Sequence, residues 1–372
     1  MLINDNKMER NSSIELLRII SMLMIVFCHF AYNGGFQWEN STITITRLWY
    51  NFIIMGGKVG VDIFILISGF FLINQKKEIF QFKKILKFWG QLFFYSVILS
   101  LIYCIINKNQ FSIKLIIKSF FPITFSTWWF ASCYFVLYLF HPFLNKLLHN
   151  LDKKTYQYLL ILAVVCWSII PTLTTSQFQS NSLLWFITLY SIAGYIRIYG
   201  FNSKLKSQKY FKIFLIVTFI TYMSSVIFMI LGKRWHIFES NVNYFYGQEK
   251  ITILIISIML FMTFVTLNIN YNKWINIIAS ASFGVYLIHD NNLIRPFIWE
   301  NIFENAKYQN SILLIPYSVI VVIIVYIVCT VIDLARQRFI EKTYLIVINT
   351  NIKRWSVYLF DLLNKIRIFI FN

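Results

Sequence analysis

A chain of 372 residues that is 58% hydrophobic, 19% aromatic and only 13% charged carries too little polar surface for a soluble globule, where charged residues make up roughly 25%. Its surplus apolar surface must face lipid. A formal charge of +19, from 34 Lys and Arg against 15 Asp and Glu, would point to nucleic acid in a soluble protein, but here the basic residues sit in short runs between apolar blocks, as in loops facing cytoplasm and anionic lipid.

A membrane helix needs about 20 mainly apolar residues. Ten such blocks begin near Ile14, Val59, Ile85, Trp128, Tyr158, Leu183, Ile213, Ile251, Ile275 and Ile312, the last ending near Asp333. The first follows a polar stretch and is too long for a signal-peptide core, so it reads as a first span. The expected architecture is all-α and polytopic, with about ten transmembrane helices. Residues 1–334 form one membrane domain, and residues 335–372 a basic amphipathic cytoplasmic tail. Within that tail, Arg354 to Phe371 mixes charge with Trp, Phe, Leu and Ile, which suits a helix lying in the interface.

Charge sets the orientation. With the N-terminus inside and ten alternating spans, the inside segments hold 23 Lys and Arg, seven of them in the tail, and the outside segments ten. The positive-inside rule then predicts that both termini are cytoplasmic, in a multi-pass membrane protein. The five cysteines, Cys28, Cys104, Cys133, Cys166 and Cys329, fall inside apolar blocks without metal-ligand spacing and read as small buried hydrophobes. No metal site, Walker loop or nucleotide fingerprint is expected.

Charged groups inside spans cost about 2.5–3.5 kcal/mol each on insertion scales and are the first place to look for chemistry. In span 1, Arg18 and His29 are eleven steps apart, only about 20° beyond three full turns. They therefore share a helix face, about 16 Å apart along the axis, with Arg18 near the inner border and His29 in the outer half. Read alone, such an Arg snorkels to headgroups and such a His satisfies a core hydrogen bond. Span 2 enters from outside, so Asp62 falls at the depth of His29 and could orient its imidazole; the alternative is a pair with Lys58, one turn away. Ser68-Gly69 suits close helix packing.

The motifs then become specific. Arg18, ten residues, then His29, followed by Gly60-Val-Asp62-Ile-Phe…Ser68-Gly-Phe70, resembles the bacterial acyltransferase family 3, multi-span membrane O-acyltransferases that modify surface glycans. Trp128-Trp129-Phe130 with Pro142 is similar to the family's Trp-Phe…Pro stretch. Ser282-Phe-Gly-Val-Tyr286-Leu-Ile-His289 is similar to its late Ser-x-x-x-Tyr-Leu-x-His segment, and Phe339-Ile340-Glu341 to its closing Phe-x-Glu-x-Pro, with Thr343 in place of the proline. The resemblance runs from about Ile14 to Glu341 and is to the stand-alone form without an SGNH-type domain.

It implies acyl transfer, acetyl transfer in the first instance, from cytoplasmic acyl-CoA (acetyl-CoA as donor substrate, no permanently bound cofactor) to a hydroxyl of a cell-surface or lipid-linked glycan. His29 would be the general base or be transiently acylated, with Asp62 orienting it. Arg18, Arg336 and Arg338 near the inner face would hold CoA phosphates; for the last two, ordinary positive-inside anchoring explains the charge equally well. His289, Tyr286, Ser68, Trp129 and Glu341 would form the site wall or contact substrate. His141, His149 and His236 read as surface or interfacial residues. The alternative function is a transporter or flippase for a lipid-linked sugar or small solute, its intramembrane charges lining a path; no internal repeat supports it.

Overall fold

The first span starts where its cap dictates. The side-chain oxygen of Asn11 accepts from the backbone N–H of Ser13 (3.0 Å) and Ile14 (3.3 Å), satisfying donors that a helix start leaves unpaired, and α1 runs over Ser12–Tyr32. A computed structural model describes residues 11–38, 42–75, 81–107, 112–201 and 205–371, with the side chains at 352–354, 356, 359 and 371 not included. Lys7, Arg10, Lys76, Lys77, Lys108 and Lys204, and the side chains of Lys353 and Arg354, all counted above, lie outside the described residues.

The second helix, α2, covers Ile45–Leu72 and so begins fourteen residues before the predicted Val59. The polar residues that hide its start are satisfied in place. Thr44 caps the Arg47 N–H (3.2 Å), the Arg47 guanidinium donates to the Thr42 carbonyl (2.8 Å), and Asn51 donates to the Arg47 carbonyl (3.0 Å). Next come α3 (Phe82–Ile106), the short amphipathic α4 (Ile113–Phe120) and α5 (Trp129–His149). Helix α6 (Lys153–Val164) passes through a π turn at Val165–Ile169 into α7 (Ile170–Leu173); Pro171, which cannot donate, sits just past that turn. They are followed by α8 (Ser182–Tyr199), α9 (Ser207–Gly232), the single-turn α10 (His236–Glu239) and α11 (Ile251–Thr266). Two eight-residue helices, α12 (Lys273–Ser280) and α13 (Ser282–His289), meet at Ala281. Finally α14 (Leu314–Arg336) continues through a π turn at Gln337–Glu341 into α15 (Lys342–Phe371). No strand occurs among the described residues.

The chain is thus an all-α, polytopic membrane protein. Among the described residues, eight helical passages are long and apolar enough to cross a bilayer. The other two predicted blocks are α5, with 21 residues, and the broken passage α12–α13. Contacts between helix ends fit ten alternating passages. Gly57 lies against Cys28 and Gly60 against Ser21, so α2 runs antiparallel to α1. At the end where α1 begins, Ser13 donates to the Leu267 carbonyl (2.7 Å), His149 Nε2 meets the Ile73 carbonyl (2.9 Å), and the Arg197 guanidinium stacks over Phe70 (4.7 Å). At the opposite end Tyr222 donates to the Leu48 carbonyl (3.1 Å) and Asn305 to that of Phe30 (3.2 Å).

Helices α1, α2, α8 and α11 form the centre, with Leu17, Val26, Ile63, Phe186, Leu189 and Phe261 fully buried. The outer helices show apolar residues to their surroundings, including Phe219 and Ile220 on α9 and Ile323, Ile327 and Val331 on α14. Such a surface suits lipid and not water. Gly69 fulfils the packing expected of it: an added Cβ would come within 2.9 Å of the Tyr190 carbonyl of α8. The tail is one long helix, continuous with α14, and Phe360 meets Phe82 at the start of α3 (ring centroids 5.8 Å apart).

Candidate functional site

Two histidines far apart in the chain meet. His29, on the last turn of α1, and His289, at the end of α13, bring Nδ1 and Nε2 within 2.9 Å. Nδ1 of His289 lies 2.6 Å from the Val285 carbonyl, one turn back on its own helix. A carbonyl only accepts, so His289 Nδ1 carries a proton, and its Nε2, when neutral, is an acceptor. The proton on His29 Nδ1 is then donated to His289, which leaves His29 Nε2 with a free lone pair. The hydrogen-bond chain therefore assigns both tautomers. Asp290, the next residue, places Oδ1 at 3.6 Å from His29 Nδ1 and 3.6 Å from Arg295 Nη1. Those distances are too long for hydrogen bonds but short enough for its charge to steady an imidazolium at His29.

His29 opens into a cavity of about 80 Å³ at mid-bundle. Its walls are Cys28 and Tyr32 from α1, Lys58, Val61 and Phe64 from α2, Trp129 and Phe130 from α5, and Phe283 and Tyr286 from α13. The Lys58 ammonium lies 5.6 Å from the Trp129 ring centroid, a cation–π distance, and brings a positive charge to a cavity otherwise walled largely by apolar groups.

A second cavity, about 250 Å³, opens at the end where α1 starts. Glu15, Arg18, Lys87, Gln91, Ser280, Arg336 and Glu341 line it, and Phe283 forms part of both cavities. Phe283 stacks on Phe88 (centroids 5.0 Å apart, planes at 24°). Behind the cationic wall is a buried network. Asp333 Oδ1 accepts from Arg336 Nε (2.7 Å), Tyr95 (2.7 Å) and Gln91 (3.2 Å), and its Oδ2 from Gln337 (2.8 Å). Glu341 accepts from Arg336 Nη1 (2.8 Å) and pairs with Lys87. Helix α13 reaches this network only because residue 284 is glycine: an added Cβ would fall 2.1 Å from Asp333 Cγ.

Of the residues expected from the sequence, His29, His289, Tyr286 and Trp129 gather at one cavity, and Arg18, Arg336 and Glu341 at the other. Asp62 does not meet His29. Its Oδ1 instead accepts from Trp185 Nε1 (3.2 Å) and Gln248 Nε2 (3.0 Å). The reason is rotational: Gly60 faces α1, and Asp62, two residues on, is turned about 200° away. Arg336 is only 3% exposed and already held by two carboxylates, so it orders the cavity wall and has little left for a phosphate. Arg338 sits over its neighbour Phe339 (5.7 Å) and lines neither cavity. Ser68 donates back to the Phe64 carbonyl (2.8 Å) and also lies outside both. His141, expected at the surface, is buried, its Nδ1 against the Tyr138 carbonyl. Sequence reasoning passed over Asp290, Arg295 and Lys87. Asp290 directly follows the motif histidine, and a carboxylate at the end of a span was the available signal.

A family model described as an acyltransferase domain matches residues 11–334. No curated protein and no solved structure matches the chain.

Proposed function

Because the chain belongs to acyltransferase family 3 and is a membrane acyltransferase, we propose that it moves an acyl group, acetyl in the first instance, from acyl-CoA to a hydroxyl of a cell-surface or lipid-linked glycan. The observation that carries this reading is the pair of cavities along one face of α1, cationic at Arg18 and basic at His29, with Phe283 as their shared wall. CoA is an anionic head on an extended arm. The head suits Arg18 and Lys87, and the arm suits a path past Phe283, over about 16 Å of helix rise, to the His29 cavity.

In this mechanism His29 Nε2 takes the proton of the acceptor hydroxyl as its oxygen attacks the thioester carbonyl. The Lys58 ammonium faces the oxygen on which negative charge develops. Collapse of the intermediate breaks the C–S bond, the ester forms, and the imidazolium returns its proton to the CoA thiolate. His289 fixes the His29 ring through the Nδ1 hydrogen bond, and Asp290 stabilises the positive charge. Both are positioning residues. Asp290→Asn is expected to lower kcat about tenfold or more, because ~1.4 kcal/mol is a factor of ten and one charge at about 4 Å supplies up to ~4 kcal/mol at an effective dielectric near 20. Asp62→Asn should leave kcat within about threefold, since ~0.6 kcal/mol or less is involved and an amide oxygen still accepts from Trp185 and Gln248. Equal losses in the two variants, in kinetics on well-expressed protein, would restore Asp62 as the partner of His29.

The basic asymmetry orients the molecule with the Arg18 cavity toward the cytoplasm of a bacterial cell. A cysteine introduced at Lys206 should react with an impermeant thiol reagent only after the cells are opened; reaction in intact cells would invert the arrangement. The donor assignment is tested at Arg18, whose guanidinium also pairs with Glu15 (3.2 Å). Loss of a charge-assisted hydrogen bond costs about 1.5–3 kcal/mol, so Arg18→Ala should raise the KM for acetyl-CoA about tenfold or more. Arg18→Lys should recover part of this, because a point charge lacks the guanidinium fork. Unaltered acetyl-CoA affinity in Arg18→Ala would remove Arg18 from the donor site.

A further inference from the structure

One cavity that this chemistry leaves unused opens at the end opposite the Arg18 cavity, with Asn291, two residues past His289, in its wall. We propose that it binds an acidic sugar chain, a glycan bearing carboxylate or phosphate groups, and holds the acceptor next to His29. The inference rests on the acyl-transfer reading and names the class of acceptor.

The cavity measures about 490 Å³, within the ~300–1,000 Å³ of ordinary ligand pockets. Four segments build it. Helix α3 contributes Ser96 and Ser100, one turn apart on one face and 1% and 5% exposed. Helix α4 contributes Lys114 and Lys118, the loop after it Thr127, and the segment after α13 Asn291. Eight of its thirteen lining residues carry a hydroxyl or an amide, although lipid-facing helices in the same protein show aliphatic groups. Such a wall matches the donor and acceptor pattern of sugar hydroxyls.

Its charge has one sign. Lys114 and Lys118 line the cavity, no carboxylate does, and neither lysine forms an ion pair among the described residues. A neutral polysaccharide would gain only ordinary hydrogen bonds from two ammonium groups, whereas a uronate or phosphorylated sugar would gain charge-assisted ones. Backbone strain falls here too: Ser126, on the same wall, holds φ at +47°, a left-handed conformation that is strained for a non-glycine residue and concentrates at ligand clamps. Position supplies the link to chemistry. Asn291 in the cavity wall directly follows Asp290, whose carboxylate lies 3.6 Å from His29 Nδ1, so the wall begins one residue from the group that flanks His29.

The test uses the full-length protein in detergent with trigalacturonate and maltotriose as probes, followed by isothermal titration calorimetry. Trigalacturonate should bind at least tenfold more tightly than maltotriose and weaken with added salt. The double variant K114Q/K118Q should bring trigalacturonate down to the maltotriose value, and K114R/K118R should keep the preference. Stabilisation of K114Q/K118Q by acetyl-CoA in a melting experiment reports folding and the donor site separately. Loss of that stabilisation in the wild type would count against the acyl-CoA reading, while the sugar titration stands on its own. Equal affinity for the two sugars, or an unchanged preference in K114Q/K118Q, would overturn the proposal. So would co-purified phosphatidylglycerol that is lost in K114Q/K118Q without any sugar preference, because the cavity would then be a lipid headgroup site.

Discussion

His29→Ala should reduce acyl transfer by about 10²–10⁴-fold, the usual contribution of a positioned base, while acetyl-CoA binding stays close to wild type. The separation follows from geometry. The donor head is assigned to the cavity lined by Arg18 and Lys87, and His29 lies in the other cavity, beyond Phe283. A group that acts only as bonds change lowers kcat and kcat/KM together and leaves donor affinity alone. His289→Ala should be less severe, since His29 keeps its basic nitrogen but loses the acceptor that fixes its tautomer. A His29→Ala protein that transfers acetyl at a near-normal rate would exclude the base mechanism.

Asp333→Ala should have the largest effect on folding. Asp333 is fully buried and accepts hydrogen bonds from Arg336, Tyr95, Gln91 and Gln337. Its removal leaves the buried Arg336, Tyr95 and Gln91 short of an acceptor, the half-buried Gln337 with the Ser280 carbonyl, and Arg336 with Glu341 as its remaining carboxylate. Breaking a buried ion pair on one side costs about 3–5 kcal/mol, a large part of the ~5–15 kcal/mol that holds a protein folded. At roughly 2–4 °C per kcal/mol for a larger domain, the melting midpoint in detergent should fall by about 10 °C, and membrane yield should fall with it. Asp333→Asn, which keeps an acceptor but loses the charge, should lie between. A midpoint within about 2 °C of wild type in Asp333→Ala would show that Arg336 finds another partner and that the network is not what anchors α3 to α14.

Much of this architecture was legible in the residues themselves. Each of the ten apolar blocks became a helical passage, because burying backbone polar groups in lipid leaves few alternatives to a helix. The shared face of Arg18 and His29 followed from helical pitch, and the structure turns both toward α13. Other features depended on contacts that no local pattern encodes. His29 and His289 are 260 residues apart in sequence, and their meeting is set by the break at Ala281 and by the glycine at 284 that lets α13 approach α14. Asp62 was matched to His29 by depth alone, and depth does not fix rotation. The small residues Gly57 and Gly60 already marked the α1-facing side of α2, and with them Asp62 points away. The start of α2 was hidden by Arg47 and Asn51, polar residues that the local fold satisfies within one turn.

The central claim, transfer from acyl-CoA to a glycan at His29, meets its most direct test in the ester content of surface glycans, measured by mass spectrometry. Three cell populations suffice: one expressing the wild-type chain, one lacking it, and one expressing His29→Ala at equal membrane level. The expected result is glycan-bound acetyl ester in the first population alone, carrying label when isotopic acetate feeds the acetyl-CoA pool. The same ester content in all three populations would contradict the account.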